Sequence, residues 1–271
     1  MFEENLYHRF INLLGVTIKT PTYSFLSELV RAHLSVIPFE NISKIYYKTR
    51  LGLVEVPPFE LYLEGVEEHH FGGTCYSNNY YFFKLLQYLG YEVVLCAADM
   101  KNPGSHMVSM VTLENKTYLV DVGYAAPFTE AVPLDLEKDH EIVCGRDRYV
   151  FKPRDQSGST QLLMFRNGSY KHGYTARPGV RRIEDFSEVI SNSFLPGSTF
   201  FNTLLLTKYE SGRFCILHNL EFIESTAGRS VIHQLSDLDE MVQIIEKTFK
   251  IKQSITRDIL SGIRLTGDAW N

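Results

Sequence analysis

The order of the hydrophobic patterns along the chain predicts an α+β fold. Apolar residues recur at helical spacing through the first third of the 271 residues, as far as Gly90. From Tyr91 the pattern becomes strand-like, in short runs separated by segments rich in Pro, Asp and Gly. One more helical run follows near the end of the chain. Helices first, then strands, then a mixed end is typical of α+β proteins.

Three helices are predicted in the first third. The first covers residues 3–14, and Gly15 follows it as a stop signal. The second covers residues 23–36, with Thr22 near its cap and Pro38 beyond its end. The third begins beside Cys75 and ends at Leu89, and its aromatic residues surround much of its circumference. We therefore expect this third helix to be deeply buried.

The middle and the end of the chain read mainly as strands. The middle part is typical of a small barrel. The last part combines strands with a closing helix that Ser236 or Asp237 would cap. The predicted strands are 92–96, the 106–124 hairpin, 148–152, 161–165, 201–207, 213–224 and 230–234, and the closing helix is 238–249.

Composition excludes several classes of protein. A net charge of -5 without a long basic run gives no reason to expect nucleic acid binding. The four cysteines form no C-x-x-C pair, so neither a disulfide framework nor a zinc site is predicted, and no metal is expected. The acidic start is unlike a signal peptide, and the apolar stretches are too short for a membrane span. We expect a cytoplasmic enzyme; its oligomeric state stays open.

Cys75 is the first candidate for chemistry. It follows Gly72 and Gly73, where a turn gives way to the third predicted helix. A helix N-terminus favours the ionised thiol, which is the nucleophilic form. The glycines allow a sharp bend and a close approach of substrate, and the free N–H groups of the helix could hold an oxyanion.

His106 and Asp121 complete a candidate triad. His106 opens one strand of the predicted hairpin, and Asp121 lies in the apolar returning strand. A turn of residues 115–116 would place Asp121 opposite Met110, too far from His106. A turn of residues 113–116 would place it opposite Val108, diagonal to His106 and within side-chain reach. The sequence permits both registers. Together the three residues would supply nucleophile, base and orienting carboxylate.

Five segments in this order carry a resemblance to a known family. They are Ile37-Pro38-Phe39-Glu40-Asn41, Gly72-Gly73-Thr74-Cys75 with Asn79, His106-Met107, Val120-Asp121-Val122-Gly123-Tyr124, and Pro196 with Ser198 and Phe200. The chain resembles the arylamine N-acetyltransferases over most of its length. Three positions depart from the family pattern: Phe71 replaces arginine, Ser77 replaces glutamate and Ala125 replaces glycine. Because both partners of a charged pair are replaced, we expect an apolar repacking without a buried unpaired ion.

The resemblance implies a fold and a reaction. It implies a helical domain, residues 1–90, carrying Cys75; a β-barrel domain, 91–195, carrying His106 and Asp121; and an α/β lid, 196–271. The delivery of the three residues is similar to that in papain-like proteases and transglutaminases. The implied reaction is two-step acetyl transfer from acetyl-CoA to small aromatic amines or hydrazines. By family position, Tyr124 would line the acceptor pocket and Ser198 would contact coenzyme A.

Three other functions stay open at this point. The same fold could form amides on larger polyketide substrates, or act as a hydrolase of the papain or transglutaminase kind. It could also be a weakly active homologue that binds acyl-CoA or aromatic ligands, since Phe71 and Ser77 remove charges beside Cys75.

Overall fold

Helices occupy the first third of the chain, as the sequence predicts. The computed structural model describes residues 2–210, 212–262, 265 and 267–269. Helices α1, α2 and α5 confirm the three predicted helices, and the Thr22 hydroxyl caps α2 by accepting the Phe25 N–H at 3.2 Å. The elements of this part are α1 Phe2–Leu14, α2 Tyr23–Val36, β1 Phe39–Glu40, α3 Ile42–Leu51, α4 Phe59–His69 and α5 Cys75–Tyr88.

The sequence does not predict α3 or α4. Helix α3 is rich in β-branched and aromatic residues, which have only moderate helix propensity. The side chain of Asn41, at its start, makes no capping hydrogen bond. Helix α4 is followed by its C-cap residue, His70, which adopts a left-handed φ of 56° without being glycine. Both helices thus lack one of the terminal signals by which a sequence marks a helix.

An eight-stranded antiparallel sheet follows the helices. Its order is β5-β4-β3-β2-β9-β8-β7-β6, so β5 and β6 lie at its two edges. Within the described residues the sheet curls as a half-barrel, which is the part of the barrel prediction that the structure shows. Strands β5, β6 and β9 were not predicted. The strands are β2 Glu92–Asp99, β3 His106–Leu113, β4 Lys116–Val120, β5 Val132–Pro133, β6 His140–Cys144, β7 Asp147–Phe151, β8 Thr160–Arg166 and β9 Ser169–Arg181.

The β3–β4 hairpin decides between the two predicted registers. Ser109 pairs with Val120, so the residue that follows, Asp121, comes opposite Val108. This is the register that brings Asp121 towards His106. The turn is tighter than predicted: Glu114 and Asn115, with φ of 50° and 62°, form it alone. Positive φ at both central residues matches the twist of a two-residue hairpin.

The second sheet is smaller and has five strands, in the order β1-β10-β11-β12-β13. The predicted strand 201–207 is wrong in its first half, because α7 precedes β10. The predicted strand 213–224 is two strands, separated by a turn at Asn219 with φ of 50°. The remaining elements are a 3-10 turn Ile183–Phe186, α6 Ser187–Asn192, α7 Thr199–Asn202, β10 Leu205–Glu210, β11 Arg213–His218, β12 Glu221–Thr226, β13 Arg229–Gln234, α8 Leu238–Ile244, a π-helical turn Ile245–Phe249 and α9 Gln253–Leu260.

Helix α5 lies between the helical core and the large sheet. Its later residues, including Phe82 and Leu86, pack among the N-terminal helices. Its first residues, Cys75 and Tyr76, pack with Leu95, Ala97 and Met107 of the sheet and with Phe194. The α+β prediction is confirmed, while the three domain boundaries stay a prediction. In the described part of the chain, no helix has both the length and the apolar character needed to cross a membrane.

Candidate active site

The loop before Cys75 is held by the segment around β1. The Gly72 N–H donates to the Glu40 carboxylate at 3.0 Å, and the Gly73 N–H donates to the Pro38 carbonyl at 3.4 Å. The Glu40 N–H donates back to the Gly73 carbonyl at 3.0 Å. The same carboxylate accepts the Ser43 N–H at the start of α3. Glu40 therefore ties the loop to α3, which fixes the position at which α5 begins.

Both glycines of the loop are required by close packing. A Cβ at Gly72 would lie 1.9 Å from the Pro38 carbonyl oxygen, and a Cβ at Gly73 would lie 2.0 Å from the Ser77 hydroxyl. Gly123 is similar, because its Cβ would come within 2.7 Å of Cys75 Cα. The backbone of residues 122–124 thus approaches the start of α5 closely, which brings the hairpin end to Cys75.

His106 and Asp121 form a buried pair beside Cys75. His106 Nε2 lies 2.8 Å from Asp121 Oδ2, and both side chains are almost completely shielded from solvent. The Cys75 thiol lies within hydrogen-bonding reach of the imidazole. Since Nε2 faces the carboxylate, Nδ1 is the ring nitrogen left for Cys75. The three residues that the sequence singles out therefore lie together.

The surroundings of His106 favour its protonated form. Burial by itself disfavours the imidazolium, but the charge and the hydrogen bond of Asp121, together with Cys75, outweigh it. The net effect raises the pKa of His106 to about 10. At neutral pH the imidazolium is then available to pair with a Cys75 thiolate, the nucleophilic form of the residue.

Asn79 joins the helix of Cys75 to the hairpin of His106 and Asp121. Its amide nitrogen donates to Asp121 Oδ1 at 2.8 Å and to the Met107 carbonyl at 2.7 Å. Its oxygen accepts the Val122 N–H at 2.8 Å. Asn79 lies one helical turn beyond Cys75 and on the same face, a spacing that was visible in the sequence. What the sequence did not indicate is that this one amide binds Asp121 and the backbone of both Met107 and Val122.

The comparison with known families agrees with this geometry. The model of the N-acetyltransferase family matches residues 22–257, which is most of the chain. The chain belongs to the N-acetyltransferase family. It is therefore an acyltransferase, and the resemblance noted from the motifs is confirmed.

Individual relatives of this N-acetyltransferase are distant but cover nearly its whole length. The arylamine N-acetyltransferase / N-hydroxyarylamine O-acetyltransferase of Salmonella typhimurium is 26% identical over 257 residues, covering 90% of this chain and 88% of the relative. Proansamycin X synthase of Amycolatopsis mediterranei is 26% identical over 247 residues, covering 86% and 90%. The structure of Mycobacterium marinum arylamine N-acetyltransferase in complex with CoA superposes with a TM-score of 0.78 at 20% identity, covering 95% and 99%. This last likeness shows the fold.

Two of the departures from the family pattern are accommodated without buried charge. Phe71, where the family has arginine, is 1% exposed and packs its ring against Tyr46, Tyr47 and His69. Ser77, where the family has glutamate, is buried and donates to the Thr74 carbonyl at 3.4 Å. The expected apolar repacking is confirmed at Phe71.

Two histidines, His69 and His70, stand directly before Phe71. Burial and the nearby lysines, among them Lys208 and Lys250, lower the pKa of His70. At neutral pH this side chain is therefore predominantly uncharged.

Tyr124 and Ser198 lie in different surroundings. The Tyr124 ring is buried and meets His106 edge-on, with centroids 5.7 Å apart, while its hydroxyl pairs with His172 Nδ1 at 2.7 Å. Ser198 precedes the first residue of α7, and its hydroxyl donates to the Ser193 carbonyl at 2.8 Å. Ala125 adopts a left-handed φ of 63°, which explains why glycine suits this position.

A metal has no candidate position among the residues that the structure describes. No group of three or more His, Cys, Asp and Glu side chains there has the arrangement that could hold an ion. The ionisable residues of the site are used otherwise, since Asp121 is bound to His106 and Asn79.

Proposed function

We propose that this N-acetyltransferase moves an acetyl group from acetyl-CoA to arylamines or arylhydrazines through an acetyl-cysteine at Cys75. The main support for the proposal is that α5 and the end of the β3–β4 hairpin bring Cys75, His106 and Asp121 together. The buried 2.8 Å contact between His106 and Asp121 supports a base that is held in one orientation. The chain order and the two elements are those of a papain-like core.

In the first step the Cys75 thiolate attacks the thioester carbonyl. A carbon–sulfur bond to Cys75 forms as the bond to coenzyme A breaks, and the imidazolium of His106 gives its proton to the departing sulfur. N–H groups at the start of α5 that have no partner within the helix are suited to hold the oxyanion of the intermediate.

In the second step the amine nitrogen attacks the acetyl carbon. The bond to Cys75 breaks, and His106 takes the proton that the nitrogen loses, which restores the thiolate and imidazolium pair. Weakly basic arylamines suit this step because they are neutral near pH 7. Tyr124, packed against His106, is proposed to line the acceptor side; Ser198 remains a candidate contact of coenzyme A.

Amide formation on a polyketide is the second candidate. Proansamycin X synthase is as similar in sequence as the Salmonella enzyme, at 26% identity each. A synthase of this kind would use the same Cys75 and His106, but would take its acyl group from a larger donor. The two candidates therefore differ in whether acetyl-CoA acylates Cys75.

Intact-protein mass spectrometry after mixing with acetyl-CoA tests the proposal. We expect one acetyl group on the wild type and none on Cys75→Ala. The Cys96→Ala variant is the control, since burial raises the pKa of Cys96 to about 12 and leaves it unreactive. Addition of an anisidine or a hydrazide should then remove the acetyl group and yield the amide.

Other outcomes select other functions. No adduct from acetyl-CoA, with Cys75 still readily alkylated by iodoacetamide, would favour the amide synthase. Peptide cleavage without coenzyme A would favour a hydrolase. No adduct together with slow alkylation would favour a ligand-binding homologue.

A reducing compartment fits the cysteines. The described cysteines are Cys75, Cys96, Cys144 and Cys215, and all four are buried free thiols. Proteins of oxidising compartments usually pair such residues in disulfides. We propose a cytoplasmic location, which is also where acetyl-CoA would be available to Cys75.

A further inference from the structure

A buried lysine on α3 faces the loop of Cys75. Lys44 is 7% exposed, and its ammonium donates to the Ser193 hydroxyl at 2.6 Å and lies 4.2 Å from the centre of the Phe194 ring. Among the described residues no carboxylate lies within ion-pair distance of it. Burying an ammonium without an anion is costly, so a fold that keeps one calls for an explanation.

The cavity around Lys44 borders the nucleophile. Lys44 lines a cavity of about 30 Å³ together with Gly72, Gly73 and Thr74, the residues that lead to Cys75. This volume is about the share of one water molecule in the liquid, roughly 30 Å³. Phe194 also lines this cavity and packs in the same apolar cluster as Cys75. Lys44 thus borders both the loop that leads to Cys75 and an aromatic ring that packs with Cys75, in a shielded region where charges interact more strongly than in water.

A negative charge on Cys75 affects the pKa of Lys44. Burial lowers the pKa of Lys44 to about 8, the negative charge of Cys75 opposes this shift, and Lys48 one turn away adds to it. The ammonium and a thiolate at Cys75 therefore stabilise each other. The remaining ionisable groups that line the cavity are Tyr47, Glu55 and Tyr76, of which Glu55 is exposed to solvent.

We propose that Lys44 is a positioning residue that stabilises the Cys75 thiolate by its charge. In the family pattern an arginine stands before the two glycines, and its positive charge could stabilise the thiolate. This chain has Phe71 at that position, and Lys44 supplies the positive charge instead. The inference rests on the proposed function only in making Cys75 the nucleophile. It explains how a neutral Phe71 and Ser77 can stand beside a reactive thiol.

The pH profile of Cys75 alkylation tests the inference without acetyl-CoA. The rate of iodoacetamide reaction at Cys75 is measured by peptide mass spectrometry between pH 5 and pH 10 for the wild type, Lys44→Met and Lys44→Arg. We expect the midpoint of the profile to rise by about one pH unit in Lys44→Met, which is the usual effect of removing a nearby opposite charge. Lys44→Arg, which keeps the charge, should restore the wild-type midpoint.

Two controls separate the charge from the packing. Lys48→Met removes a partly buried charge from the same helix, whose ammonium donates to the Phe194 carbonyl and lies over the Phe201 ring. Ser193→Ala removes the hydrogen bond of Lys44 but keeps its charge. Both should leave the midpoint within about 0.3 units of the wild type.

An unchanged midpoint in Lys44→Met, with a native circular dichroism spectrum, would overturn the inference. An equal shift in Lys48→Met would also overturn it. A raised midpoint in an enzyme that acetyl-CoA does not acylate would keep the role of Lys44 and reject the proposed acetyl transfer.

Discussion

The Asn79 amide lies 2.8 Å from the Asp121 carboxylate and thereby connects the helix of Cys75 to the strand end of Asp121. Asp121 has a second partner, His106, on its other oxygen. The Gly123 N–H also donates to Asp121, at 3.0 Å. A carboxylate with all these partners is held in one orientation, so the imidazole that it binds is held as well.

Removal of the Asn79 amide should weaken both the fold and the reaction. Asn79→Ala leaves the Met107 carbonyl and the Val122 N–H buried without their partner. We expect a loss of at least about 2 kcal/mol in the free energy of unfolding, measured with urea, and a fall in the rate of acetyl-enzyme formation. Gln87→Ala, on the exposed side of the same helix, is the control and should change neither. A loss under about 0.5 kcal/mol would show that water replaces the amide.

Asp121→Asn should lower the rate of Cys75 acetylation by two to four orders of magnitude. The asparagine amide can donate to His106 Nε2, and the ring proton then lies on Nδ1. Because Nδ1 faces the Cys75 thiol, the neutral imidazole can no longer accept the proton of that thiol. The effect is of the size, about 10⁴, seen when the carboxylate of a serine triad is replaced in this way. Asp135→Asn, a surface carboxylate paired with Arg154, should keep the wild-type rate. A loss below about tenfold would exclude Asp121 from the triad.

The substitution Ser77→Gly should restore stability to the Gly73→Ala variant but not to the Gly72→Ala variant. The Cβ added at Gly73 meets the Ser77 hydroxyl, whereas the Cβ added at Gly72 meets the backbone of Pro38. Ser77→Gly should therefore recover at least about 1 kcal/mol of the stability lost in Gly73→Ala, and none of that lost in Gly72→Ala. Urea unfolding of the single and double variants measures both coupling energies. Additive effects at Gly73 and Ser77 would contradict the close contact.

His33 should make the protein sensitive to acid. It is completely buried between Phe10 and Phe82, and no other residue that the structure describes forms a hydrogen bond with its ring nitrogens. Burial lowers its pKa to about 3. In the unfolded chain His33 has an ordinary pKa near 6.5, so between pH 6.5 and pH 3 it binds a proton there but stays neutral in the folded protein. The stability is therefore complete above about pH 6.5 and is lost progressively as the pH falls towards 3, by about 2 kcal/mol at pH 5.

The variant His33→Leu isolates this effect. Its free energy of unfolding should fall by about 2 kcal/mol less than that of the wild type between pH 7 and pH 5. His8→Leu, which changes an exposed histidine, should keep the wild-type dependence. Equal slopes for the wild type and His33→Leu would mean that His33 is solvated in the native state.

The sequence by itself determined those features that depend on local order along the chain. The periodicity of residues 23–36 and the Thr22 cap predicted α2, because a helix repeats every few residues and its cap bonds within one turn. The position of Cys75 at the start of α5 followed from the glycines before it. The α+β class followed from the order of the two periodicities, and the motifs indicated the family.

Only the tertiary structure decided the contacts between distant segments. The hairpin sequence allowed two registers, and the pairing of Ser109 with Val120 selected the one that brings Asp121 to His106. The partners of Asn79 and the burial of Lys44 under Phe194 join residues far apart in the chain. Such contacts depend on how whole elements pack, and the pattern of any single segment carries no information on its neighbours in space.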